Sequence, residues 1–190
     1  MKRIALILAI LVLPLVAMPG AADHATRDHW LNTNGFPIRI IVVDHTRPEI
    51  YDRELGNLVE EAAQAWEDAS NGKLNLVYER AAVITCDDIN QKYVNGKFKI
   101  CEENPDFPWG GAASSGPIEQ HHYQSAFLKL YPDGFDPTGN WPRRLLCHEM
   151  GHAVGWLVHS ERVSCLGTGD SLVPTEHDIA ALANIYDHRD

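Results

Sequence analysis

Residues 147–160 read Cys-His-Glu-Met-Gly-His-Ala-Val-Gly-Trp-Leu-Val-His-Ser. The pattern around them predicts a helix from about Trp141 to Val154, with Asn140 as its cap and Gly155 as its stop. On such a helix His148 and His152 leave one face a turn apart. Two ring nitrogens can then approach one Zn²⁺ at about 2.0–2.1 Å each. Glu149 sits beside them, placed to hydrogen-bond a water at the metal without binding the metal itself. Leu145, Leu146, Met150 and Ala153 offer an apolar face that holds the helix in a core while the polar trio faces a cleft. The bland alternative is a set of hydrogen-bonded histidines near an acid.

Upstream, Ile38–Val43 reads as a mostly buried strand with Pro37 at its mouth. From Tyr51 to Ser70 the period changes to that of an amphipathic helix. Leu55, Leu58, Val59, Ala62, Ala63, Trp66 and Ala69 form its apolar stripe, and Asn71-Gly72 ends it. Asn75–Tyr78 follows as a short strand. Val83–Cys101 begins and finishes like strands, and Asn95-Gly96 between them predicts a hairpin. The Pro-, Gly- and Ser-rich stretch Glu102–Gly116 reads as loop, and Tyr123–Tyr131 as a further strand. Downstream, Thr175 and Asp178 have capping-box spacing. Ile179, Leu182, Ala183 and Tyr186 recur at helical intervals, so that face is expected inward. The order of elements makes this an α+β chain.

The 190 residues suffice for one ordinary domain, and 45% apolar with 22% charged residues exclude a disordered or fibrous chain. A net charge of -10 argues against nucleic acid as a partner and against a polybasic membrane-surface protein. Lys2 and Arg3, an apolar run from Ile4 to Val16 and small residues at Ala17, Gly20, Ala21 and Ala22 make a secretory signal pattern. Residues 1–22 are therefore expected to be removed and 23–190 to form the functional domain, with an uncleaved anchor as the alternative. The mature protein is expected outside the cytoplasm (extracellular or periplasmic), with no stable membrane association. In that oxidising setting Cys86, Cys101, Cys147 and Cys165 are expected to pair locally, 86 with 101 and 147 with 165. Free thiols, or Cys147 and Cys165 as thiolate ligands, are the alternatives.

His148, Glu149, His152, Gly155 and His159 resemble the zinc signature of the metzincin metallopeptidases, especially the matrixin-like branch, and Ser160 also fits the matrixin pattern. The resemblance implies a single catalytic domain with a twisted mixed sheet, an active-site helix and a C-terminal helix. It implies His159 as third ligand to one catalytic zinc, and a glycine at 155 that lets the chain turn sharply. Two departures stand out. Trp156, Leu157 and Val158 put three residues where the family has two before the last histidine. Leu166 occupies the place of the methionine in the turn beneath the metal. The family's substrate strand would fall within Tyr123–Tyr131, at a sheet edge, and Gly167–Pro174 would wall the pocket. Asp133, Gly134 and Asp136 are the residues that would join a matrixin-like Ca²⁺ site.

The expected activity is that of a secreted zinc endopeptidase with Glu149 as general base, acting as a monomer on extended peptide or protein substrates. Two alternatives differ in kind. One is a thermolysin-like peptidase in which Glu176 is the third ligand. The other is a non-catalytic secreted protein that binds metal or a partner.

Overall fold

In the computed structural model, which describes residues 28–53, 56–89, 91–103, 110–116, 121–131, 140–155, 157, 159–167 and 171–187, the chain enters through a two-residue strand β1 (His29–Trp30) and then forms β2 (Ile38–Asp44). One helical turn, α1 (Pro48–Tyr51), and a short ladder of β3 (Asp52–Arg53) with β4 (Gly56–Asn57) lead into helix α2 (Leu58–Ala69). Strands β5 (Leu74–Arg80), β6 (Lys97–Glu102), β7 (Gly111–Ser115), β8 (His122–Tyr123) and β9 (Ser125–Leu130) follow. Helices α3 (Trp141–Gly155) and α4 (Glu176–Ile185) come last. The fold is α+β, as expected. Residues 1–22, Asp133, Gly134 and Asp136 lie outside the described residues; among those described, no helix is long and apolar enough to cross a membrane.

Five strands make one mixed sheet in the order β5-β2-β6-β9-β7, in which β7 alone is antiparallel to its neighbour. Side-chain alternation divides its faces. On one face Phe98 lies opposite Ala126 and Ile100 opposite Leu128, and these join Ile40, Val42, Leu74 and Leu76 in the main core beneath α2 and α3. The residues of opposite parity, Cys101 and Phe127, pack on the other face with Cys86 and Ile89.

Helix α2 starts seven residues later than its periodicity predicts. Asn57 accepts hydrogen bonds from the backbone of Val59 and Glu60 at 2.8 and 3.0 Å, and asparagine is among the best N-caps. The expected end holds, with Asn71 and Gly72 both at positive φ. The predicted hairpin is not formed. β6 is flanked by β2 and β9, both parallel to it, and Thr85 meets Glu102 only in an isolated parallel bridge. The Asn95-Gly96 turn exists, with Lys97 donating to the Val94 carbonyl at 2.9 Å, but it feeds a central strand. The Cys86–Cys101 disulfide instead clamps the residues before the turn onto the outer face of the sheet.

The stretch expected to be loop contains β7, and this places the sheet edge. β9 has β6 on one side and β7 on the other, so the strand within Tyr123–Tyr131 is internal. The sequence Gly-Ala-Ala-Ser-Ser carries little β-propensity because its neighbour demands small residues. A Cβ on Gly111 would lie 3.0 Å from Cγ of Glu149, and one on Gly110 3.2 Å from Cδ2 of Leu145.

Helix α4 is rotated from the expected setting. Asp178, Ala181, Leu182, Ile185 and Tyr186 are buried, whereas Ile179 and Ala183 face out. The Asp178 carboxylate draws this face inward by accepting from the backbone of Thr175 at 2.8 Å and of Cys165 at 3.3 Å.

Helix α3 crosses α2 at Gly151, where an added Cβ would lie 2.7 Å from Cζ2 of Trp66 and 3.0 Å from Cδ1 of Leu166. Trp66 also donates from its indole to the Cys147 carbonyl at 2.9 Å. Gly151→Ala should therefore destabilise the protein by about 1–3 kcal/mol despite alanine's better helix propensity. Chemical denaturation checks this; a variant as stable as the parent would mean that the two helices are not in this contact.

Candidate metal centre and its cleft

One stripe of α3 faces a cleft of about 480 Å³. Trp141, Arg144, Leu145, His148, Glu149 and His152 line it from the helix, and Gly110–Ala113 of the β7 region line it from the other side, with His159 and Gly167 also present. Helical spacing explains the stripe, since these positions recur at three and four residues.

The three expected histidines meet. Nε2 of His148 lies 3.0 Å from Nε2 of His159 and 3.2 Å from that of His152, and the remaining pair is 3.3 Å apart. His148 donates from Nδ1 to the Cys165 carbonyl at 2.9 Å, and His152 from Nδ1 to the Leu157 carbonyl. A carbonyl only accepts, so each Nδ1 carries the proton and each neutral ring turns a bare Nε2 toward the cluster. Lone pairs facing one another repel until a cation sits among them. Nitrogens bound to a tetrahedral ion at zinc's distances stand about 3.3 Å apart, close to the spacings found. These residues fit a metal ion. Burial holds the His148 imidazole below its ordinary pKa, outweighing the Cys165 carbonyl's opposite pull, with His159 adding to the lowering. The neutral, ligating form is thereby favoured.

How His159 returns to the helix is settled by the end of α3. The last turn of a helix has carbonyls without helical partners, and this turn is buried. Trp30 and Tyr123 both donate to the Ala153 carbonyl at 2.8 Å, and the Tyr186 hydroxyl donates to that of Val154. Gly155 is not in the left-handed conformation; it is small because Leu182 and Ile185 approach within 3.1 and 3.2 Å of where its Cβ would be. Leu157 is fully buried and offers its carbonyl to His152. Trp156 and Val158 lie outside the described residues. The additional residue does not keep His159 from the cluster.

Beneath the cluster, Leu166 packs against Gly151, between the two helical histidines, and its carbonyl accepts from the Ser160 backbone at 3.0 Å. The disulfide joins Cys147 to Cys165, the residue whose carbonyl orients His148, so neither sulfur is a thiolate ligand. Glu176 is exposed on the first turn of α4 and is not among the residues whose ligand atoms converge. The expected wall divides: Gly167 lines the cleft, whereas Leu172 and Val173 line a separate depression with Leu58 and Arg143.

Glu149 is 7% exposed and lies outside the histidine group. Its carboxylate accepts the backbone N–H of Ala113 in β7 at 2.9 Å. Burial pushes its carboxyl up to about 7, the Ala113 hydrogen bond pulling the other way. A carboxyl so placed can exchange a proton near neutrality.

The local reading of the sequence placed Tyr123 in a strand and Tyr186 on an inward helix face, but foresaw neither their hydrogen bonds to the end of α3 nor those of Trp30 and Ala113. No family model matches this chain, and no curated protein matches it.

Purified protein should bind one divalent metal ion per chain, and His159→Ala should lose most of that uptake while Glu176→Ala keeps it. Equilibrium dialysis followed by metal analysis distinguishes the two. Retention by His159→Ala with loss by Glu176→Ala would overturn the ligand set.

Proposed function

We propose that this protein is a zinc-dependent endopeptidase of metzincin, matrixin-like type, exported from the cell, with His148, His152 and His159 as zinc ligands and Glu149 as general base. The observation that carries the reading is the convergence of three imidazole nitrogens beside a buried carboxyl in a cleft walled by a sheet edge. The two disulfides fit an oxidising compartment.

Strand β7 suits an extended peptide. Gly110 and Gly116 direct backbone groups to β9, through Tyr131 and Ser125. By alternation, Gly111, Ala113 and Ser115 turn their backbone groups to the outer edge, where Ala113 reaches Glu149. A peptide added to that edge lies along the histidine cluster with its backbone held by hydrogen bonds and its alternate side chains directed into the cleft. When bound, zinc supplies a Lewis acid that polarises the scissile carbonyl and acidifies a water. Glu149 takes the water's proton and passes it to the departing amine. Its low exposure and its bond to β7 keep the carboxyl at the point where the peptide backbone crosses α3.

Glu149→Gln should keep its metal and lower kcat by about 10²–10⁴-fold, because an amide cannot accept the proton. Cleavage of a quenched peptide library, with metal content measured on the same samples, tests this. Equal cleavage would remove Glu149 from the mechanism, and no cleavage by folded, zinc-loaded parent protein would favour a metal-binding protein without peptidase activity.

A further inference from the structure

His159 is held differently from the two helical ligands. It is exposed, and among the described residues no hydrogen bond orients its Nδ1 as the Cys165 and Leu157 carbonyls orient His148 and His152. Its place over the helical pair is therefore set by the backbone that carries it. The next residue, Ser160, is 8% exposed and fixes that backbone from three sides. Its N–H donates to the Leu166 carbonyl at 3.0 Å, in the turn beneath the cluster. Its hydroxyl accepts the Arg162 N–H at 3.1 Å, closing a serine turn, and lies 3.1 Å from Nε2 of His177.

His177 stands half-buried on the first turn of α4, between the exposed Glu176 and the buried Asp178. The bonds of Asp178 to Thr175 and Cys165 fix how that turn faces the metal centre, and so where the His177 ring lies. Two successive residues of α4 thus reach the two segments on which the ligands depend. Asp178 reaches the one whose carbonyl orients His148, and His177 reaches the one that carries His159. A serine hydroxyl has one proton and two acceptor sites. With one site taken by Arg162, the contact with the imidazole restricts it further.

We propose that His177 is a positioning residue for the third metal ligand: through the Ser160 hydroxyl it holds the turn that sets His159 over His148 and His152, and thereby strengthens metal binding. His177 is not itself among the residues whose ligand atoms converge. The proposal rests on the three-histidine ligand set, and it holds whether or not the protein cleaves peptides.

The test measures Zn²⁺ affinity of full-length protein by competition with a chromophoric chelator, for the parent, Ser160→Ala, His177→Ala and the double variant. Each single substitution should weaken binding at least about tenfold, the lower end of the loss when the partner of a ligand is removed. The double variant should bind no more weakly than the weaker single one, because both substitutions remove the same contact. His177→Gln, whose amide can still meet the hydroxyl, should recover part of the loss. With Co²⁺ as the probe, the visible spectrum of His177→Ala should move toward that of His159→Ala, a change of coordination that a general loss of stability does not produce. Ser160→Ala and His177→Gln carry the same comparison with smaller lesions, so the outcome does not depend on the folding of His177→Ala. Unchanged affinity in these variants, losses that add in the double variant, or cobalt spectra like the parent's would overturn the proposal and leave the ligand set standing. Absence of metal uptake by folded parent protein would overturn the ligand set and the proposal with it.

Discussion

A helix that ends inside a protein must find donors for its last carbonyls, and α3 ends inside this one. The indole of Trp30 and the hydroxyls of Tyr123 and Tyr186 supply them. These three residues come from the entry segment, a two-residue strand and the end of the C-terminal helix. An unpartnered buried carbonyl costs on the order of 1–3 kcal/mol. Satisfying two of them lets the chain stop abruptly at Gly155 and return with His159 instead of continuing the helix to solvent. The placement of the third imidazole thus depends on aromatic residues far from it in sequence.

A second constraint follows. Each helical histidine spends its Nδ1 proton on a carbonyl, of Cys165 and of Leu157. Those carbonyls belong to the turn beneath the cluster and to the link behind it. Ring orientation, tautomer and the path of the chain after α3 are one arrangement, and a change in any of them disturbs the others. Arg144, Leu145 and Glu149 share the stripe with His148 and His152, so whatever tilts α3 moves these cleft-lining side chains together.

What the sequence made legible was local. The spacing of His148 and His152, the stop at Gly155 and the cysteine pairs each lie within about five turns of helix or one short loop, and each was found as expected. What it hid was set by distant partners. β7 was unreadable because its small residues reflect the closeness of α3, not any preference of the strand itself. Asn95-Gly96 announced a turn correctly and a hairpin wrongly, since the strand after it pairs with β2 and β9. The start of α2 was masked by apolar residues that continue the helical period beyond the Asn57 cap. Asp178 showed its capping role, yet its second bond, to Cys165, set which face of α4 points inward.

Both disulfides join cysteines close along the chain, 15 and 18 residues apart. The competing pairs would close loops of several tens of residues, and chain statistics make such encounters rarer. The sheet, by contrast, is mostly parallel and brings together strands distant in sequence, which is a slow assembly. Loop-closure entropy therefore favours the observed partners over the competing ones even in a chain without its sheet, by about 1 kcal/mol. The cross-link beside the histidines is in this sense encoded locally, whereas the sheet is encoded by distant pairings.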